Sequence, residues 1–100
     1  MTNSPTEDTV AHELYLKGRH AWGLRGDNLL RAVEFYNQAI ARDPNFALAY
    51  AGLGETCILL PYYIGTDPKE ARPKARAAAL KALELNPNLA EAHNALGKIL

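Results

Sequence analysis

The sequence lacks most of the features that support covalent crosslinks, strong charge or membrane insertion. Its 100 residues include one cysteine, Cys57, so the chain cannot form an internal disulfide or a zinc site built from several cysteines. The chain has 11 basic residues (Lys and Arg) and 11 acidic residues (Asp and Glu), so its net charge is zero. A neutral chain has no overall attraction to nucleic acid or to an anionic membrane. No apolar run approaches the ~18 residues of a membrane span. Residues 1–8 have neither the basic nor the apolar region of a secretory signal. We therefore expect a cytoplasmic domain.

The sequence also gives little basis for catalysis. His12, His20 and His93 do not have the spacing of metal ligands. Cys57 lies in an apolar stretch with no histidine nearby, which predicts a buried structural thiol. A content of 48% hydrophobic and 22% charged residues fits one packed domain. We expect no enzyme activity, no catalytic residues, no cofactor and no metal site.

What the chain does contain is an internal repeat. One pattern of small and aromatic residues recurs 43 positions later, first as Ala32, Tyr36, Ala39 and Pro44, then as Ala75, Ala79, Ala82 and Pro87. A second pattern alternates with it, as Ala47, Tyr50, Leu53 and Gly54, then Ala90, His93, Leu96 and Gly97, and more weakly Ala11, Leu14, Lys17 and Gly18. Self-similarity at such a period is typical of proteins built from stacked helical units.

Each repeated segment has the periodicity of an amphipathic helix. Apolar side chains between Leu29 and Ile40, for example, fall on one stripe with a 3.6-residue period. Pro44 and Pro87 follow the ends of two such segments, where a proline cannot continue a helix. The pattern predicts helices near 5–24, 28–42, 46–60, 68–86 and 89–100.

Residues at the expected helix starts are typical N-caps. Ser4 begins a capping box, and Asp67 precedes a proline in the analogous arrangement. Asn45 and Asn88 follow the two terminating prolines and are predicted to cap the next helices. Pro73 lies beyond the first turn of the fourth helix, so we expect either a kink there or a later helix start.

These recurring residues resemble the tetratricopeptide repeat family, whose 34-residue helix-turn-helix unit carries small and aromatic residues at similar spacings and ends in proline. We expect small residues such as Gly54 to let helices approach closely, and Tyr36 and Tyr50 to fill the gaps left between them. The resemblance implies an all-α fold, a right-handed solenoid of antiparallel helix pairs with about two and a half repeats and five helices. Residues 1–8 would be a linker or the start of the first helix, and 9–100 the repeat domain. Its repeats would span 11–44, 45–87 and, in part, 88–100.

The second repeat departs from the family unit because its terminal prolines are 43 rather than 34 positions apart, and the extra residues fall in a connection at 60–67. A long apolar connection of this kind is similar to repeat regions of bacterial multidomain regulators. The resemblance therefore implies an excerpt from a larger regulatory protein.

By the same resemblance, the first helix of each pair lines a concave groove that binds a peptide or a helix of a partner protein. Glu55 places a negative charge where family members that bind acidic chaperone tails use cations, so such a tail is not the expected ligand. The groove positions carried over from the family are His12, Tyr15, Arg19, Trp22, Gly23, Leu48, Ala51, Glu55, Ile58, Leu59, Glu91, Asn94 and Lys98.

Three alternatives to groove binding remain open. The apolar segment 59–65, with Tyr62 and Tyr63, either packs back over the helices or forms a docking surface. The basic run between Lys69 and Lys81 is either a solvated helix face or a nucleic-acid contact, although no aromatic residue is interleaved with its cations. The last helix has no following partner in the sequence and could support a homodimer.

Overall fold

A computed structural model describes residues 7–99 of the chain. This part contains five α-helices and no strand: α1 (Thr9–Leu24), α2 (Asn28–Arg42), α3 (Ala47–Tyr63), α4 (Pro68–Leu85) and α5 (Ala90–Ile99). The all-α prediction and the number of helices are confirmed. No helix within these residues combines the length and apolarity that crossing a membrane requires.

Side chains of two aspartates cap helices as their local chemistry favours. Asp8 accepts a hydrogen bond from the backbone amide of Ala11, 3.0 Å away, and so begins α1. Asp67 accepts from the amide of Lys69 at 2.9 Å and begins α4, as the sequence predicted. The first predicted cap, Ser4, lies outside the described residues.

The prediction that Asn45 and Asn88 are N-caps is wrong. Their backbone amides instead donate to the side-chain oxygens of Asp43 and Asn86, 3.1 Å and 3.2 Å away. These short Asx turns satisfy the loop backbone locally, so α3 begins after Phe46. The helix that follows Asn88 begins at Ala90.

The region of extra residues is more helical than predicted. The third helix continues through Pro61 to Tyr63, so the connection is 64–67 rather than 60–67. The fourth helix begins at Pro68 and runs through Pro73, so the alternative of a start near Pro73 is wrong. Both hairpin helices are therefore long, with 17 residues in α3 and 18 in α4.

The core is centred on Tyr36, whose side chain is 1% exposed. Its ring lies 5.9 Å from the ring of Tyr15, which in turn lies 5.3 Å from Phe46, both in tilted arrangements that aromatic pairs favour. The predicted role of Tyr50 as a second gap filler is only partly met. Its ring is half-buried, and its hydroxyl donates to the carbonyl of Pro44 at 2.9 Å.

Glycine allows the close approach of neighbouring helices at two places in the core. A Cβ added to Gly52 would lie 2.6 Å from the Tyr36 ring, and one added to Gly18 would lie 2.7 Å from it. The ring is thus held between α1 and α3. At Gly54, a Cβ would lie 3.1 Å from the carbonyl oxygen of Ala75, which brings α3 and α4 together as predicted.

Helix contacts follow a regular pattern. Each helix packs on the next, and α1 also contacts α3, as α3 contacts α5. Within residues 7–99, α2 and α4 do not contact each other. Arg42 at the end of α2 pairs with Asp8 at the start of α1 at 3.2 Å, so these two helices run in opposite directions. The odd-numbered helices are therefore neighbours, and α3 contacts all four others.

The sequence repeat is also a repeat of hydrogen bonds. The Tyr50 hydroxyl donates to the carbonyl of Pro44, and the Nε2–H of His93 donates at 2.8 Å to the carbonyl of Pro87. Both partners lie six positions earlier in the chain. Tyr50 and His93 thus occupy equivalent places 43 residues apart, as the sequence pattern indicated.

Candidate functional site

A groove of ≈ 90 Å³ crosses the surface where the odd-numbered helices meet. We refer to it as the central groove. Five predicted residues line it together: Tyr15, Arg19 and Trp22 from α1, and Leu48 and Glu55 from α3. Glu91 contributes from α5, also as expected from the resemblance. Two lining residues, Tyr36 and Gly52, were not predicted.

Other predicted groove residues lie elsewhere. Ala51 is fully buried and packs with Ala82 and Ala92, so its assignment to the groove surface is wrong. The error amounts to one position along α3. Successive residues of a helix are rotated by about 100°, so Ala51 points into the core while Gly52 lies at the floor of the central groove. Ile58 and Lys98 line a separate cavity. The remaining predicted positions, His12, Gly23, Leu59 and Asn94, line neither cavity.

Arg19 is positioned at the groove by Tyr15. Its guanidinium donates to the Tyr15 hydroxyl at 3.2 Å, and its central carbon lies 6.0 Å from the centroid of the same ring. The hydrogen bond to Tyr15 raises the pKa of Arg19, so the side chain stays cationic. Burial raises the pKa of Tyr36, so its hydroxyl stays neutral. The central groove therefore has aromatic side chains at its floor, and a positively charged side chain is held beside them.

Glu55 supplies the opposite charge. Its carboxylate oxygen lies 3.9 Å from Nζ of Lys98, which is at the outer limit of an ion pair. Burial raises the pKa of Glu55, while Lys98 and then Arg19 act to lower it, and burial prevails. A half-buried carboxylate of this kind is stabilised by any further cation that approaches.

Trp22 serves both the core and the groove. The half-buried ring packs against the aromatic core and lines the groove. Arg25 donates to the carbonyl of Trp22 at 2.7 Å, and its guanidinium lies 4.2 Å from the ring centroid, a cation–π distance. Within residues 7–99, the buried Nε1 of Trp22 has no hydrogen-bond partner.

The predicted alternative surfaces have distinct environments. Tyr62 and Tyr63 are 79% and 49% exposed on the last turn of α3, whereas Leu59, Leu60, Pro61 and Ile64 of the same segment are half-buried. In the basic run, Lys69, Arg72, Lys74 and Arg76 are exposed. Lys81 lies 3.6 Å from Glu84 in an ion pair on the same helix.

Two observations concern groups that could support covalent or metal chemistry. Burial raises the pKa of the Cys57 thiol, which disfavours the reactive thiolate. No group of three or more metal-ligating side chains comes together in the described part of the chain.

No protein-family model, curated protein or solved structure matches this chain significantly.

Proposed function

We propose that the chain is a tetratricopeptide-like module that binds a peptide or a helix of a partner protein in the central groove, without covalent chemistry. Two features support this assignment. The hydrogen bonds of Tyr50 and His93 recur at the 43-residue period of the sequence. The contacts of α3 with α1 and α5, together with the lack of contact between α2 and α4 within residues 7–99, are those expected of a curved stack of helix pairs with its inner face on the odd-numbered helices.

The observation that carries the proposal is the composition of the central groove. Tyr15, Trp22 and Leu48 give it an apolar surface, while Arg19 and Glu55 place opposite charges on two neighbouring helices. All of these side chains are on helices rather than loops, which fixes their spacing. Such a surface suits a segment with one inserted apolar side chain flanked by charges of both signs.

The size of the groove favours a peptide over a metabolite. Sites for small molecules usually enclose about 300–1,000 Å³. The central groove encloses ≈ 90 Å³, enough for part of one side chain. A peptide that lies across the odd-numbered helices gains most of its contact area outside this depression. We further propose that the module is the partner-binding part of a larger regulatory protein.

Selection from a random peptide library tests groove binding without requiring the natural partner. The native chain is compared with a groove variant, Arg19→Glu plus Glu55→Lys, and with a matched control, Arg76→Glu plus Glu34→Lys. Both variants keep the net charge at zero, and the control residues are exposed on α4 and α2. Circular dichroism verifies that all three chains are equally helical.

We expect peptides selected on the native chain to bind the control equally and the groove variant about tenfold more weakly, because two charge contacts are reversed. Equal binding to all three chains would overturn the proposal. If only the control variant loses peptide binding, the peptides bind at the basic run on α4 rather than in the central groove.

Self-association is a second candidate, favoured by one observation on α5. Gly97 is equivalent to Gly54, which packs closely on α4, yet a Cβ on Gly97 would meet no described atom within 4 Å. The exposed face could accept a helix from a second copy. Sedimentation equilibrium tests this: a mass that rises with concentration, and falls in Gly97→Leu, would support a dimer. A constant monomer mass would exclude it.

A further inference from the structure

A second cavity, of ≈ 230 Å³, lies where α5 ends against the tip of the α3–α4 hairpin. We call it the tip cavity. Apolar side chains from three helices line it, namely Ile58, Pro61, Tyr62, Ala71 and Ile99. Two cations, Arg72 and Lys98, complete the lining together with Pro68. We propose that the tip cavity binds an acidic segment of a partner protein that inserts one large apolar side chain.

The extra residues of the second repeat build this cavity. Pro61 and Tyr62 lie on the turn by which α3 exceeds its predicted length, and Pro68 begins α4. These residues fall within the interval between Pro44 and Pro87, which is lengthened to 43 residues. Insertions in repeat proteins commonly fall on the binding face. The site is separate from the central groove and does not rest on the function proposed for it.

Charge complementarity specifies the occupant. None of the residues that line the tip cavity is acidic, whereas Glu55 and Glu91 both line the central groove. The two cations of the tip cavity come from different helices, α4 and α5, and both line the same cavity. An anionic ligand is therefore favoured here, and a basic one is repelled.

Lys98 remains available to a ligand despite its proximity to Glu55. The distance between their charged atoms is 3.9 Å, and the Lys98 side chain is 55% exposed. An ammonium group has three donors, so a ligand carboxylate can bind Nζ while Glu55 stays near. Arg72 is also exposed, on the first half of α4.

The volume of the tip cavity distinguishes between two kinds of ligand, a single inserted side chain and a whole small molecule. Its volume is larger than that of the central groove but below the range of typical metabolite sites. An aromatic or long aliphatic side chain fills such a space against Ile58 and Ile99, with the flanking backbone outside. Tyr62, which is largely exposed, gains a contact surface on the bound segment.

Binding of blocked model peptides tests the proposal directly. The probe is acetylated, amidated Glu-Asp-Phe-Glu-Asp, and its two controls are Gln-Asn-Phe-Gln-Asn, without charge, and Glu-Asp-Ser-Glu-Asp, without the aromatic ring. Titration followed by backbone amide NMR gives affinities and locates each contact. We expect the probe to bind at least about fivefold more tightly than either control, with shifts at Ile58, Arg72 and Ile99.

A matched pair of variants distinguishes the site from general charge attraction. Arg72→Glu reverses a lining charge, and Arg76→Glu reverses the same charge one turn later, outside the cavity. We expect about tenfold weaker binding in the first and less than about twofold change in the second. Arg31→Glu, the same charge reversal at an exposed position on α2, should leave the affinity unchanged.

Four results would overturn the proposal. The first is equal affinity of the probe and its uncharged control. The second is an equal loss of binding in Arg72→Glu and Arg76→Glu. The third is a set of shifts confined to the central groove, which would assign the peptide to the function proposed there. Association of the chain with itself through Tyr62, in place of peptide binding, would also contradict it.

Discussion

At the scale of single residues, the packing of Tyr36 depends on two positions without side chains. We expect Gly52→Ala to lower the free energy of unfolding by about 1–2 kcal/mol, because the added methyl group overlaps a buried ring that cannot move aside. This net loss already includes a gain of about 1 kcal/mol from the higher helix propensity of alanine. Urea unfolding followed by circular dichroism measures it.

Gly97→Ala is the matched control for this substitution. It makes the same chemical change in a helix, at a position where no described atom lies within 4 Å of the new carbon. The variant should therefore gain about 0.5–1 kcal/mol from helix propensity alone. Equal stability of the two variants would mean that the ring of Tyr36 does not fill the space between Gly18 and Gly52.

The buried carboxylate of Glu55 gives the fold a predictable pH response. Its pKa lies above the ordinary value of 4.5 because burial disfavours its charge. As pH rises from 4.5 through the raised pKa, the folded state binds this proton more tightly than the unfolded state, so stability falls across that window. Glu55→Gln should therefore be more stable than the native chain at pH 7, with a difference that shrinks as pH falls through this window towards 4.5.

Thermal unfolding of both chains across this pH range tests the response. Lys98→Met offers an independent comparison, because it removes the cation that acts to lower the pKa of Glu55. Its loss of stability with rising pH should be steeper than in the native chain. A difference between native and Glu55→Gln chains that does not depend on pH would contradict the account.

The central groove shows how far positions carried over from a family resemblance could predict individual residues. Tyr15, Arg19 and Glu55 line it, as the resemblance to the tetratricopeptide repeat family implied. Ala51 was wrongly assigned to the groove, and Gly52 was missed. The sequence repeat indicates which residues form a helix, but not which of two neighbouring residues faces the groove. The rotation is set by the ring of Tyr36, which packs against Gly52 from another helix. A contact of that kind leaves no local signal in the sequence.

At the scale of helices, two prolines in α4 occupy positions of opposite character. Pro68 is the first helical residue, where the missing N–H would have no partner in any case. Pro73 lies inside the helix, where it removes a hydrogen bond to the carbonyl four residues earlier. We expect Pro73→Ala to raise the free energy of unfolding by about 1–3 kcal/mol.

Pro68→Ala is the control for this prediction. Its stability should change by less than about 1 kcal/mol, since the first position tolerates proline. Chemical unfolding of both variants measures the contrast. If Pro73→Ala is no more stable than Pro68→Ala, the helix must accommodate its internal proline by a local rearrangement rather than by losing one bond.

The boundaries of the helices could be predicted to within about three residues, except at the start of α1. The prediction of a start near residue 5 is wrong, because Asp8 caps the helix and α1 begins at Thr9. Start and stop signals such as Asp67 and Pro44 act through the backbone nearby, so they are readable in the sequence. The extension of α3 beyond residue 60 was missed because tyrosine and proline at its end favour a loop. Packing of Pro61 and Ile58 beside α4 favours the additional turn instead.

At the scale of the whole molecule, stability is concentrated in the centre. The helix α3 contacts every other helix and has six buried residues, including Thr56, whose hydroxyl donates to the carbonyl of Gly52 at 2.8 Å. By contrast, α5 has two buried residues, Ala92 and Ala95, and within residues 7–99 it contacts α3 and α4 but neither α1 nor α2. The terminal helix therefore adds the least apolar burial per turn.

This imbalance predicts a gradient of local opening. Amide hydrogens of α5 should exchange with solvent much faster than those of α3, because a helix with two small buried side chains can detach without unfolding the rest. Hydrogen exchange followed by mass spectrometry measures both helices in one experiment. Lys98 and Ile99 line the tip cavity, so bound acidic peptide should slow exchange in α5 while leaving α1 unchanged. Equal exchange rates in α3 and α5 would instead mean that all five helices open as one cooperative unit.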